Sequence, residues 1–153
     1  MKLYRLLLLI VILALLLTGC AAKTPDAALE VILDEIIAKI GITDEIPLSA
    51  NDLNALYGIA AGDVEAQACC ITMSGIFPDE IILIKAAGGE AAKRIQTRLE
   101  ARLAEVKNQS ASYDPDSYAI AQRCRVNVKG EYIAFFISYN HERMTEIYEG
   151  HFK

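Results

Sequence analysis

The chain has 153 residues, with 20 acidic and 15 basic side chains and a net charge of −5 when both histidines are neutral. This length suits one domain with its own hydrophobic core. A phosphate backbone would be repelled by so acidic a chain unless one face were strongly basic, so we expect no nucleic-acid partner.

The N-terminal residues have the three regions of a cleaved export signal. Lys2 and Arg5 are followed by an unbroken apolar run over residues 6–17 and then by two small residues. The run falls short of the roughly 20 residues that a membrane-spanning helix needs. This pattern therefore favours a cleaved signal over a permanent span.

The sequence Leu-Thr-Gly-Cys at residues 17–20 resembles the bacterial lipobox. The resemblance implies that the Cys20 thiol receives a diacylglycerol and that the signal peptide, residues 1–19, is cut before it. Two acyl chains hold a protein stably on a bilayer, so the membrane partner is bound through the lipid on Cys20. The prediction is a lipoprotein on the extracytoplasmic face of the cell membrane, with a lipidated tether at 20–25 and one globular domain at 26–153.

Two helices are predicted first. Apolar residues from Leu29 to Ile40 recur at the three-and-four spacing of one helical face, after cap-like residues at 24–26. Ser49, followed three residues later by Asp52, predicts the start of a shorter connecting helix.

Two strands and the longest helix follow. Residues 64–73 alternate with the period of a half-buried strand, and the apolar run at 80–86 predicts a more buried one. A charged helix with an apolar stripe begins after Gly89. Residues 108–113 are polar and predict a loop.

The last part of the chain predicts a second hairpin. Asp114 opens a short helix, residues 123–128 and 132–139 read as two strands with a tight reversal between them, and Asn140 caps a final helix. The order predicts an α+β domain. Its antiparallel sheet would have about four strands from two hairpins, separated by the long helix, with the helices packed on one face.

A set of residues between about 63 and 138 indicates a family resemblance. These residues enter and leave the predicted strands or are aromatic: Pro78, Asp79, Glu80, Ile81, Lys85, Tyr113, Tyr118, Gly130 and Tyr132. With them the stretch resembles a family of small bacterial lipoproteins, mostly from Gram-positive anaerobes, that are built on one domain of unknown function. The resemblance implies a shared fold and a surface location, and it supplies no catalytic residues.

Three cysteines remain after lipidation of Cys20. Cys69 and Cys70 are adjacent in a predicted strand, so their thiols point to opposite faces, and the spacing of a redox Cys-x-x-Cys turn is absent. Strand parity directs Cys70 and Cys124 toward the core, either as free small apolar residues or as a disulfide. It leaves Cys69 as the surface thiol.

The histidines are the other candidates for chemistry. His141 and Glu142 begin like a zinc-protease motif, but Thr145 stands where the second ligand is needed. His151 would still require a third ligand from elsewhere. We therefore predict no metal and no other cofactor, and we keep a thiol- or metal-dependent envelope enzyme using Cys69 or His141 as the alternative.

An arginine stripe is the most unusual charged feature of this acidic chain. Arg94, Arg98 and Arg102 recur at four-residue spacing and therefore share one helical face. They are candidates for binding an anion or an acidic partner. The alternative is a solvated face in which Glu90 pairs with Arg94 and Glu105 with Arg102.

The sequence therefore favours a binding role over catalysis. We interpret the chain as a membrane-anchored lipoprotein that acts as an extracytoplasmic protein-interaction or ligand-binding module, with no catalytic residues assigned. An envelope assembly factor that docks through the arginine stripe is a further hypothesis.

Overall fold

The computed structural model describes residues 28–73 and 78–153. Over these residues the chain forms five α-helices and a five-stranded antiparallel sheet, which confirms the predicted α+β class. The predicted signal peptide, the tether with Cys20 and the cap at 24–26 lie outside the described residues. Within the described ranges, no helix is long and apolar enough to cross a membrane.

Helices and strands are interspersed along the chain. The helices are α1 (Leu29–Ile40), α2 (Ala50–Tyr57), α3 (Gly89–Tyr113), α4 (Pro115–Arg123) and α5 (His141–Gly150), and a short 3-10 turn covers Ala61–Asp63. The strands are β1 (Glu45–Pro47), β2 (Val64–Thr72), β3 (Glu80–Ala86), β4 (Val126–Lys129) and β5 (Tyr132–Ile137). Neighbouring strands pair in the order β1-β2-β3-β5-β4.

The predicted helix caps explain where the short helices begin. At α2, the Ser49 backbone N–H donates to Asp52 Oδ2 at 2.7 Å and the Asp52 N–H donates to Ser49 Oγ at 3.3 Å, which is the predicted capping box. At α4, the Asp114 carboxylate accepts from the backbone N–H groups of Asp116 and Ser117. Both caps satisfy N–H groups that have no partner within the helix.

Two elements differ most from the prediction, and β4 begins at Val126 rather than at residue 123. Strand β1 adds a fifth strand, and its three residues pair with the end of β2 while remaining exposed. It has no alternating pattern because none of its side chains is buried. Helix α3 also continues through 108–113, where a loop was expected. Its last turns pack against the domain, with Val106 and Ser110 buried.

Helices cover both faces of the sheet, so the expectation that they pack on one face was wrong. Helices α2, α3 and α4 contribute to one buried cluster, and α1 and α5 contribute to a second cluster on the opposite face. We call these the α3 face and the α1 face. Strand β3 shows the reason: Ile82 and Ile84 point to the α3 face while Ile81 and Leu83 point to the α1 face. A strand that is apolar on both sides needs cover on both sides.

Candidate functional site

The three arginines of the predicted stripe all lie on α3, but their surroundings differ. Arg94 is bound to Asp63 in the 3-10 turn, with Arg94 Nη2 2.6 Å from Oδ1 and Arg94 Nε 3.1 Å from Oδ2. This fork holds the pKa of the Asp63 carboxyl below its usual value. Arg94 therefore joins α3 to the turn that precedes β2.

Arg102 belongs to a more buried cluster. Its Nη2 lies 2.6 Å from Glu80 Oε1, and Glu80 Oε2 accepts a hydrogen bond from the Tyr57 hydroxyl at 2.9 Å. Glu80 is only 5% exposed, and Glu105 approaches Arg102 at 3.6 Å from the solvent side. Burial, followed by the charge of Glu80, raises the pKa of Tyr57. The cluster connects α2, β3 and α3, so Arg102 has a structural role.

Arg98 has no hydrogen bond or ion pair with any residue in the described part of the chain. Its side chain instead packs against Gly58, at the end of α2. Gly58 has φ +68° and its N–H donates to the Asn54 carbonyl at 2.9 Å, so the backbone there is fixed in the left-handed conformation that ends the helix. The result is a positioned but unpaired guanidinium at the protein surface.

A shallow groove of roughly 580 Å³ surrounds this guanidinium. The groove lies between α3 and the segment that joins α2 to β2, and we call it the Arg98 groove. It is lined by Gly58, Ile59, Ala60, Asp63, Arg94, Ile95, Thr97 and Arg98. Because Asp63 already neutralises Arg94, Arg98 carries the uncompensated positive charge of the groove. A planar guanidinium in this setting can bind one carboxylate or phosphate through two parallel hydrogen bonds.

The acidic partners of the stripe were only partly predicted. Glu105 does approach Arg102, but Glu90 forms its ion pair with Lys93, at 2.7 Å, and leaves Arg94 to Asp63. Asp63 and Glu80 were missed because they lie 31 and 22 positions away from their arginines in the sequence. One signal was available for Glu80, namely a carboxylate at the start of an otherwise apolar strand.

The three cysteines in the described residues are all free and buried. Cys70 and Cys124 lie in clusters on opposite faces of the sheet, so the disulfide alternative does not hold. The prediction of Cys69 as a surface thiol was wrong: it is 4% exposed, because helices cover the face to which it points, and its thiol donates to the Leu83 carbonyl. Burial raises the pKa of Cys69 to about 12 and that of Cys70 to about 11.

The two histidines mark opposite ends of α5. His141 is 7% exposed, and burial lowers its pKa. His151 Nε2 lies 2.8 Å from Glu35 Oε2, which connects α5 to α1. Among the described residues, no group of three or more His, Cys, Asp or Glu side chains could hold a metal ion.

A second cavity, of roughly 350 Å³, lies beside the pair of His151 and Glu35. Its other charged groups also have partners: Lys39 pairs with Glu35, and Arg143 pairs with Glu146 at 2.8 Å. It offers no unpaired charge comparable to Arg98, so the Arg98 groove is the better candidate for recognition.

Comparison with known proteins identifies a family. The family model for the domain of unknown function DUF4358 matches residues 38–138. No curated protein and no solved structure matches the chain. The matched range contains all five strands, the Arg98 groove and the cluster around Glu80.

Proposed function

Because the chain belongs to the DUF4358 family, whose domain has no known function, we propose a function from the residues themselves. The protein is a lipid-anchored, extracytoplasmic binding module. It recognises a carboxylate or phosphate group of an envelope partner through Arg98. The observation that carries this proposal is the absence of a partner for Arg98 in the described residues, while Arg94 and Arg102 on the same face are each engaged by an acid.

The anchor rests on the N-terminal sequence. Basic residues, an apolar run and the sequence Leu-Thr-Gly-Cys at 17–20 occur in the order of a lipoprotein signal. Removal of Lys2 and Arg5 with the signal would lower the net charge from −5 to −7. Such a charge does not attract anionic headgroups, so membrane attachment depends on the lipid at Cys20.

The recognition site rests on the charge and position of Arg98. Arg94 and Arg102 are each paired with an acidic side chain of the same protein. Of the three arginines in the predicted stripe, Arg98 is therefore the one that contacts the partner. Arg98 lies beside Gly58, so its guanidinium stands at the groove with no acid of the described residues competing for it. Arginine is also among the residues that most often dominate the energy of a protein interface.

The enzyme alternative has weaker support. A catalytic cysteine needs an accessible thiolate, whereas Cys69 is 4% exposed and burial raises its pKa to about 12. His141 is buried as well and contributes to no cluster of metal-binding side chains in the described residues.

Crosslinking of the native lipidated protein in intact cells, followed by mass spectrometry of co-purified proteins, tests the proposal. Arg98→Gln should lower the yield of a specific partner about tenfold, which corresponds to about 1.4 kcal/mol of binding free energy. Arg123→Gln is the matched control, because it removes the same charge from another exposed arginine. The Arg123 side chain is 57% exposed, and its ion pair with Glu142 is long, at 4.0 Å. Equal yields from the two variants would contradict a binding role for Arg98.

The anchor has its own test. Growth with an alkyne fatty acid should label the wild-type protein, and Cys20→Ala should abolish the label. Label that persists in the variant would contradict lipidation at Cys20.

A further inference from the structure

The strand pairing defines two ends of the sheet. Ala86 of β3 pairs with Val64 at the end where the β4–β5 hairpin turns at Gly130, and we call this the hairpin end. At the other end, Glu80 of β3 pairs with Ile71 and Ile137. We call this the far end.

Helix α1 begins at the hairpin end. Helix α5 leaves β5 at the far end and reaches the hairpin end, where the Phe152 ring lies 5.1 Å from the Tyr132 ring. His151, beside Phe152, contacts Glu35 of α1, whereas α1 ends toward the far end, where Glu45, five residues after Ile40, pairs with Thr72. The two helices are therefore antiparallel, and the chain enters the domain at the hairpin end.

The length of chain before α1 limits how the domain can sit on a membrane. If Cys20 carries a lipid, as proposed above, the eight steps from Cys20 to Ala28 span at most about 28 Å when fully extended. The nine residues of β2 give the sheet a length of about 30 Å. If the domain rested on its far end, Ala28 would stand about 30 Å above the membrane surface. Only a fully extended tether could approach that height, and full extension has a large cost in conformational entropy.

We propose that the hairpin end faces the bilayer headgroups and that the far end points away from the membrane. The inference rests on the proposed lipid anchor and adds the interaction surface and its partner. Charges of both signs occur at the hairpin end: Lys85 pairs with Glu65 at 2.9 Å, and Lys129 lies over the Phe152 ring at 5.4 Å. A surface that carries charges of both signs can contact zwitterionic phospholipid headgroups, so this contact does not require an anionic membrane.

This orientation determines where the Arg98 groove operates. Helix α3 starts at the hairpin end, and Arg98 lies nine residues after Gly89, which is about 14 Å along the helix axis. The groove would therefore meet its partner close to the membrane surface. A membrane-proximal segment of an envelope protein carrying an acidic group fits that position.

Energy transfer from each end of the sheet to the membrane tests the orientation. Glu131→Cys labels the hairpin end, and Tyr139→Cys, at a residue that is 70% exposed, labels the far end. The native Cys69, Cys70 and Cys124 are buried and should not compete for a maleimide donor. The lipidated protein is placed in vesicles of phosphatidylcholine and phosphatidylglycerol with acceptor-labelled headgroups.

We expect the donor at residue 131 to lie nearer the headgroups than the donor at residue 139, by about 20 Å, the length of β5. Equal distances, or a nearer residue 139, would overturn the orientation while leaving the anchor intact. Failure of the unlabelled protein to float with vesicles would instead overturn the anchor, and the orientation with it. The anchor and the orientation would both be supported if Cys20→Ala abolished flotation and the two donors showed the expected difference in distance.

Discussion

Arg98 packs against Gly58, with its Cδ and Nε atoms 3.6 Å from the point where a Cβ atom of residue 58 would stand. Gly58 also has φ +68°, a conformation that costs other residues about 1–2 kcal/mol. Gly58→Ala should therefore lower the free energy of unfolding by about 1–2 kcal/mol, mainly through backbone strain, because a distance of 3.6 Å is ordinary van der Waals contact. Urea denaturation of the purified protein measures the loss.

Gly62→Ala is the matched control for that substitution. Gly62 has no positive φ and nothing lies within 4 Å of its added Cβ. Its stability should stay within about 0.5 kcal/mol of the wild type. Equal losses for the two variants would contradict the role assigned to Gly58.

Arg102→Gln should be the most destabilising change within the stripe. It leaves Glu80, which is 5% exposed, with the Tyr57 hydroxyl as its remaining strong partner. Leaving a buried charge unpaired costs about 3 kcal/mol. Arg143→Gln removes a charge and an exposed ion pair to Glu146 and should cost less than about 1 kcal/mol. Urea denaturation curves of similar midpoint for both variants would show that the Glu80 cluster does not stabilise the fold.

The buried cysteines should react with a maleimide only after unfolding. Cys69, Cys70 and Cys124 are 4%, 1% and 0% exposed, and burial raises the pKa of each thiol. Mass spectrometry should find no modification of these three in the native state and all three modified in denaturant. Cys20 should add a fourth label only when it carries no lipid. Rapid labelling of Cys69 in the native protein would restore it as a surface thiol.

His141 should make stability depend on pH below neutrality. Burial lowers its pKa in the folded protein, so the unfolded chain binds the proton first, at a pKa of about 6.5. Its stabilising effect is therefore present above about pH 6.5 and is lost as the pH falls toward the lower folded pKa. His141→Gln should flatten the part of the curve that lies below about pH 6.5. Parallel curves for wild type and variant would show that His141 does not cause the loss.

Periodicity predicted most of the elements of this fold, but it could not show what covers them. The alternation at 64–73 correctly indicated a strand and correctly put Cys69 and Cys70 on opposite faces. Exposure of Cys69 was inferred from the assumption that one face is open, and α3 covers that face. The apolar run of β3 on both faces was the sequence signal for two layers of helices.

The site was less predictable than the fold because its charges pair over long distances in the sequence. Spacing along one helix identified Arg94, Arg98 and Arg102 as a face, but it suggested only local acids as partners. The acids that decide the outcome, Asp63 and Glu80, come from other elements. Only the packed structure separates the unpaired Arg98 from its two neighbours.

The most direct test of the Arg98 groove places a photocrosslinking residue inside it. Thr97 lines the groove and is exposed, while Glu100 is exposed on the same helix and does not line it. In intact cells, a probe at position 97 should capture a specific partner, Arg98→Glu in the same chain should abolish the capture, and a probe at position 100 should capture far less. Equal capture from both positions, unaffected by Arg98→Glu, would contradict the assignment of the groove as the binding site.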